Sequence, residues 1–304
     1  MRIASAAGLV VVLTKAIWRF GTSSWSERSW VGTVYPAGTK PADFLGLYAR
    51  RYGAVEADTT YYRVPKVEVV EGWREKTPSG FRMAAKFPRG IVHAGSGPQP
   101  DADRALRIEE VGPELEAFLA AMRALGDRAG PLLLQLPYFN RSHFKGEDEF
   151  LGRLEAFLPY LPPDFRYAVE VRNKQWYTSA LTDLLRAHKI AFCLSDLSYL
   201  PHPAEVLERL DVLTADFSYV RLIGDRKRID SLTKVFDREV FDQSARIERL
   251  GDALRNLDDG VREVWAFANN HYAGHGPASI DRLASVVTGA SPTRPLVDDE
   301  GGPF

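Results

Sequence analysis

Cysteine is all but absent from these 304 residues. Cys193 stands alone, so the chain can form neither an internal disulfide nor a cysteine-based zinc site. A reducing compartment, the cytoplasm, is the expected location. Excess charge of either sign is also missing. The 39 Lys and Arg face 40 Asp and Glu for a net charge of -1, so there is no general attraction to nucleic acid or to an anionic membrane. No apolar run approaches the roughly 20 residues of a membrane span. The run from Leu9 to Leu13 is too short even for the core of a signal peptide. We read residues 1–16 as a loose extension. Residues 289–304, with three prolines, three glycines and the acidic run Asp298, Asp299, Glu300, read as a disordered tail. HxH, HExxH, GxSxG and GxGxxG do not occur.

What the chain does have, over residues 17–288, is alternation. Short β-branched or apolar runs at 17–21, 54–58, 81–86, 132–136, 167–171, 190–195, 219–223 and 264–267 are each followed by a stretch with helical periodicity. The clearest stripes are Leu115, Phe118, Leu119, Met122 within 113–125 and Ile247, Leu250, Leu254 within 242–257. Pro113 and Pro277 are expected in first helical turns, where the missing N–H costs nothing. Strands alternating with helices imply parallel pairing, and eight such units in about 250 residues is the arithmetic of a single α/β domain, a (β/α)8 TIM-type barrel. An open doubly wound sheet is the competitor, but the first strand ends in Gly21-Thr22-Ser23-Ser24-Trp25 without a glycine-rich phosphate turn.

In a barrel, chemistry belongs at the C-terminal strand ends, and every expected strand carries polar residues there. The first brings Thr22, Ser23 and Trp25. The second brings Glu56 and Asp58, then Tyr61, Tyr62 and Arg63. The third ends in Lys86 and the fourth in Gln135. The fifth gives Glu170 and Arg172 with Trp176 beyond. The sixth gives Asp196, the seventh Arg221, and the eighth runs into Asn269, Asn270 and His271. Side chains two apart share a face of a strand. Glu56 therefore points with Asp58, and Glu170 with Arg172, while Val55, Ala57, Val169 and Val171 face the helices. Each residue also has a plain structural reading: the carboxylates as ion-pair partners, Trp25 and Trp176 as packing, Asp196 as a turn cap, Cys193 as inert filler.

The runs GTSSW (21–25), VYP (34–36), VEADTTYYRVP (55–65), MAAKFPR (83–89) and LLLQLP (132–137) stand in order along the chain. They continue with YAVEVRNKQWY (167–177), LSD (194–196), TADFSYVRLIG (214–224) and NNHYAGHGPAS (269–279). Together they resemble the YecE-like family, the domain of unknown function numbered 72. The resemblance implies a TIM-type barrel and a site at these motifs, and no reaction. The chain departs from the family pattern at Ser24, where glycine is usual, at Asp58, where asparagine is usual, and at Ala268, where an aromatic is usual.

The site chemistry expected from these residues is carboxylate acid/base catalysis on a polar, anionic small molecule, phosphorylated or sugar- or nucleotide-like. Glu56, Lys86, Glu170 and Asp196 are the catalytic candidates, with Glu56 and Glu170 as proton carriers. Trp25, Asp58, Tyr62, Gln135, Arg172, Trp176, Arg221, Asn269, Asn270 and His271 are the substrate-binding candidates, the guanidinium forks suiting an anion. No cofactor is expected; Mg2+ on carboxylates is the alternative, and with it a metal-assisted phosphoesterase or nuclease. A pocket that binds a small molecule or nucleic acid without turning it over is the third reading. Oligomeric state is not legible.

Overall fold

The computed structural model of the chain describes residues 16–255, 257 and 261–289. The expected extension and tail lie outside that range except for Ala16 and Gly289. Eight strands run in chain order: β1 (Ile17–Thr22), β2 (Ala54–Ala57), β3 (Arg82–Lys86), β4 (Ala129–Gln135), β5 (Tyr167–Glu170), β6 (Ala191–Leu197), β7 (Phe217–Gly224) and β8 (Glu263–Ala268). The helices between and after them are α1 (Phe44–Arg51), α2 (Val67–Glu75), α3 (Arg89–Val92), α4 (Ile108–Arg123), α5 (Glu147–Phe157), α6 (Ser179–Ala187), α7 (Pro203–Arg209), α8 (Arg226–Leu232), α9 (Ser244–Arg255) and α10 (Gly276–Thr288). All pairings between these strands are parallel, in the order β1-β8-β7-β6-β5-β4-β3-β2. This is the TIM-type barrel that the alternation implies. Among the described residues no helix is long and apolar enough to cross a membrane.

Two expectations about helices change. α4 begins at Ile108, so Pro113 sits inside it rather than in its first turn. Glu109 and Glu110 occupy that first turn, where the helix dipole favours acids. Pro113 lies on the exposed side, where water can replace the hydrogen bond it denies to the Glu109 carbonyl. The short helices α3 and α8, of four and seven residues, were not expected, because so few turns show no apolar stripe.

Alternation sorts the side chains into two cores. Outward residues such as Val55, Met83, Leu134, Val169, Leu194 and Val220 pack under the helix stripes. Inward residues fill the barrel itself. Ala54, Ala84, Ala168 and Ala191 from β2, β3, β5 and β6 leave room for Phe217, Tyr219, Trp265 and Phe267 from β7 and β8. Trp265 leans across to β4, where a Cβ on Gly130 would stand 2.9 Å from its ring, which is why that position is glycine. Below this aromatic layer, Glu263 bonds Arg19 at 3.3 Å and pairs with Arg166, whose guanidinium lies 4.7 Å from the Phe217 ring centre. Above it lies a second, larger ionic layer.

Closure was expected all the way round. The ladder instead has one seam, between β1 and β2, where the strand order begins and ends. A side chain fills it. The hydroxyl of Tyr48, on α1, accepts from the Thr22 N–H at 2.8 Å, donates to the Ala54 carbonyl at 3.1 Å, and lies 2.9 Å from Thr22 Oγ1. The strands come close enough that any Cβ on Gly21 would overlap the Ala54 carbonyl, so the fit depends on glycine there. Tyr48 is fully buried, so the groups it serves have no water to fall back on. Tyr48→Phe keeps the ring and removes the rung. Denaturant titration of that variant should show a loss of about 1–3 kcal/mol; an unchanged midpoint would mean that the seam holds without the hydroxyl.

Candidate active site

The upper ionic layer is centred on Arg221 of β7, 1% exposed. Its Nη2 donates to Glu56 Oε1 of β2 at 2.7 Å, and its Nη1 to Gln135 Oε1 of β4 at 2.9 Å and to Glu170 Oε2 of β5. The remaining lone pairs of the two glutamates are also used. Tyr219 Oη donates to Glu56 Oε2 at 2.8 Å, Ser195 Oγ to Glu170 Oε2 at 3.0 Å, and Arg172 Nε to Glu170 Oε1 at 2.8 Å. Lys86 Nζ stands 3.6 Å from Glu56 Oε1. The local reasons are strand positions. Glu170 and Gln135 are ladder partners, and Tyr219 and Arg221 share the inward face of β7. Thr60, in the turn after β2, holds the end of β3: its hydroxyl donates to the Lys86 carbonyl at 2.7 Å and accepts from the Lys86 N–H at 3.1 Å. Asn173 clamps both backbone groups of Phe139 and so ties the loop after β5 to the loop after β4.

Charge decides the protonation states. Burial alone would raise the pKa of Glu56, but Arg221 and then Lys86 outweigh it and leave the group below the ordinary carboxylate value. Burial is likewise outweighed at Glu170, where Arg221 and Arg172 bring the pKa down to about 2. Lys86 moves the other way. Burial and the neighbouring Arg221 lower its pKa by more than Glu56, Asp58 and Glu170 restore. Asp58, two residues beyond Glu56, has no cation within ion-pair distance among the described residues, and burial raises its pKa beyond what Lys86 offsets. Two carboxylates are thus held ionised, while an amine and a third carboxyl are each pushed toward the neutral form.

Asp58 and Tyr62 also line a cavity of about 290 Å3 over the ends of β1, β2 and β8, together with Ser23, Asn269, Asn270 and His271. The Ser23 hydroxyl is buried there without a hydrogen-bond partner. The side-chain oxygens of Asn269 and Asn270 are spent on the turn they open, accepting from the N–H groups of His271 and Gly276 at 2.9 Å each. His271 Nε2 lies 3.4 Å from Asp230 of α8. A larger hollow of about 770 Å3, walled by Pro162, Arg166, Lys189 and Arg262, opens at the opposite, N-terminal face. None of the strand-end polar groups reaches it.

Three candidates from the sequence stand elsewhere. Asp196 was expected in the pocket, but Cys193 and Ser195 take the inward positions of β6, so Asp196 faces the helices. There it bonds Arg246 Nε of α9 at 2.7 and 2.9 Å and the Tyr272 hydroxyl at 2.7 Å. Trp176 is 4% exposed and stacks on Phe150 of α5 with 4.3 Å between ring centres, which makes it a packing residue. Trp25 is half-buried with its edge on Trp73 of α2, outside the Arg221 network. Conversely, Ser195 and Tyr219 belong to the network and were not among the candidates. Counting back in twos from Arg221 finds Tyr219; Ser195 is hidden by the more conspicuous Asp196 beside it. Among the described residues no group of three or more His, Cys, Asp or Glu is arranged to hold a metal ion.

A family model described as "Protein of unknown function DUF72" matches residues 19–299. The chain belongs to this family. Within the DUF72 family it is similar to the UPF0759 protein YecE of Escherichia coli strain K12, 34% identical over 157 residues, which are 52% of this chain and 49% of that protein. The chain therefore matches about half the length of that curated relative. Two solved DUF72 structures share its fold. One is from Thermotoga maritima, with a TM-score of 0.61 and 24% identity over 87% of this chain and 96% of that one. The other is from Enterococcus faecalis, with a TM-score of 0.64 and 19% identity over 89% and 95%.

The network makes a pH prediction. Glu170 has a depressed pKa in the fold, so its contribution to stability is complete above the ordinary carboxylate pKa and is lost as pH falls from there through about 2. For wild type the acid limb of the stability profile should include on the order of 3 kcal/mol from this group. Glu170→Gln, which leaves Arg221 and Arg172 short of a charge, should lose about 3–5 kcal/mol at neutral pH and flatten that limb. A variant as stable as wild type at pH 7 would show that the charge of Glu170 is not structural.

Proposed function

We propose that this protein is an enzyme that acts on a polar, anionic small molecule, phosphorylated or sugar- or nucleotide-like, by acid/base chemistry at the C-terminal face of the barrel. One observation carries the reading: Arg221 takes up Glu56 and Glu170 from within, and the groups left with unspent chemistry all lie at the opening. Arg172 uses Nε on Glu170 and keeps its terminal fork, with a quarter of its side chain exposed. Among the described residues Lys86 has one ion-pair partner, at 3.6 Å, and Asp58 forms no ion pair, though Lys86 acts on it from farther off. A fork held from behind by a carboxylate is pre-set for a phosphate or carboxylate oxygen pair.

Roles follow from the shifts. Glu56 and Glu170, first candidates for proton carriers, are better suited to anchoring, because a carboxylate held well below its usual pKa is a poor acid and a weak base at neutral pH. Lys86 and Asp58, both displaced toward neutrality, are better matched to proton transfer. Tyr61, Tyr62 and Tyr199 give the opening flat surfaces: Tyr62 is 74% and Tyr199 51% exposed, and burial raises the pKa of Tyr61 and Tyr199 by more than Arg172 lowers it. The metal-assisted alternative is less favoured, since Arg, Tyr and Ser donors already occupy the oxygens of Glu56 and Glu170 that would have to bind Mg2+.

Isothermal titration with inorganic phosphate and with a panel of sugar phosphates tests this. Wild type should bind at least one of them, and Arg172→Gln should weaken that binding by roughly tenfold or more, the loss of one charge-assisted fork. Equal binding by both proteins, or none by wild type, would overturn the anionic-substrate reading.

A further inference from the structure

We infer that Lys86 is a carbonyl-reactive amine, and that the substrate of this site is an anionic aldehyde or ketone held as an iminium on Lys86 Nζ. The inference rests on the reading above and adds to it the functional group at which chemistry starts.

The arrangement around Lys86 differs from that of a structural ion pair. Its side chain is one-tenth exposed, buried enough to lose most of its hydration and open enough for a small carbonyl to reach. Its one carboxylate neighbour, Glu56, is already engaged by Arg221 Nη2 at 2.7 Å and by Tyr219 at 2.8 Å, whereas Lys86 stays back at 3.6 Å. The ammonium is thus under-compensated, with the Arg221 cation in the same layer. Among the described residues no other acid lies within ion-pair distance of it. A desolvated lysine beside a second cation is the setting in which a free amine persists at neutral pH. Thr60 holds the strand end through both the N–H and the C=O of Lys86, so Nζ is presented from a rigid base. Asp58, which interacts electrostatically with Lys86 and lines the cavity at the mouth, supplies a carboxyl biased toward the protonated form.

The step balances with these groups alone. The lone pair of Nζ forms the C–N bond as the carbonyl π pair moves to oxygen. A proton passes from nitrogen to that oxygen to give the carbinolamine. The Asp58 carboxyl then protonates the hydroxyl, which leaves as water, and the nitrogen lone pair closes the C=N bond. The products are water, the Asp58 carboxylate and an iminium cation at the Lys86 position. The positive charge facing Glu56 is the one an ammonium would have placed there, so the Arg221 network keeps its balance. An iminium is an electron sink, which lets the neighbouring carbon lose a proton or a carbon–carbon bond.

The experiment is reductive trapping of the full chain with borohydride in the presence of dihydroxyacetone phosphate or, separately, uncharged dihydroxyacetone, with peptide mass mapping. Lys66 and Lys174, both exposed, are the internal references. Reduced adduct at Lys86 should form roughly tenfold or more faster than at either reference, and Asp58→Asn should slow it. Trapping at Lys86 no faster than at Lys66 and Lys174 would overturn the inference. The phosphate arm tests the underlying reading independently: Arg172→Gln should slow trapping of the phosphorylated ketone and spare the uncharged one. Fast trapping of both ketones, with no effect of Arg172→Gln, would keep the amine and remove the anion site.

Discussion

The guanidinium of Arg221 is the piece on which the upper half of this barrel depends. It is buried at the axis, and a charge in that position is tolerable only if carboxylates meet it from more than one strand. Glu56 and Glu170 do so from β2 and β5, on either side of β7, and Gln135 of β4 lies between them. Arg221 thereby acts on the titratable groups around it, alongside their burial. It keeps the two glutamates ionised, contributes to the lowered pKa of Lys86, and by occupying Glu56 denies Lys86 a close partner. What looks in sequence like a scatter of charged residues is one compensated cluster.

Much of this was legible before the structure. The barrel follows from alternation, since eight β-to-α units leave few other parallel arrangements. Glu56, Lys86, Gln135, Glu170, Arg172 and Arg221 were readable as convergent because strand ends and a period of two suffice to orient them. The same rule misplaced Asp196: the strand was read as ending at Ser195, so its polar neighbour was taken as the strand-end group, whereas β6 runs on to Leu197 with Ser195 inward. Trp176 was misread for another reason. A tryptophan near a strand end says nothing about the Phe139, Phe144 and Phe150 cluster that encloses it, because those residues come from other parts of the chain. Protonation states were beyond the sequence altogether. They depend on which of three cations stands nearest to which of three carboxylates, a matter of ångströms.

The two ionic layers differ in kind. The lower one, Arg19 and Arg166 on Glu263, is partly open to water, and stacks its cations on Trp265 and Phe217. Its charges are matched by aromatic faces as well as by a carboxylate, and Arg166 and then Arg19 outweigh burial to hold the Glu263 pKa below its ordinary value. The aromatic layer between the two is itself buried and covers the upper cluster from below.

The seam filled by Tyr48 has a consequence for the order in which the chain can be assembled. β1 has its backbone ladder with β8 alone, pairing Ile17 with Glu263 and Thr22 with Ala268. β1 must therefore wait for β8 before that strand partner exists, and a contact between residues so far apart in the chain carries a large loop-closure cost. Until then, the short link from β1 through α1 to β2, with the tyrosine hydroxyl bridging the gap, is what can keep β1 near its place. A single phenol thus serves a nascent chain as a temporary hold, and the finished barrel as a permanent rung.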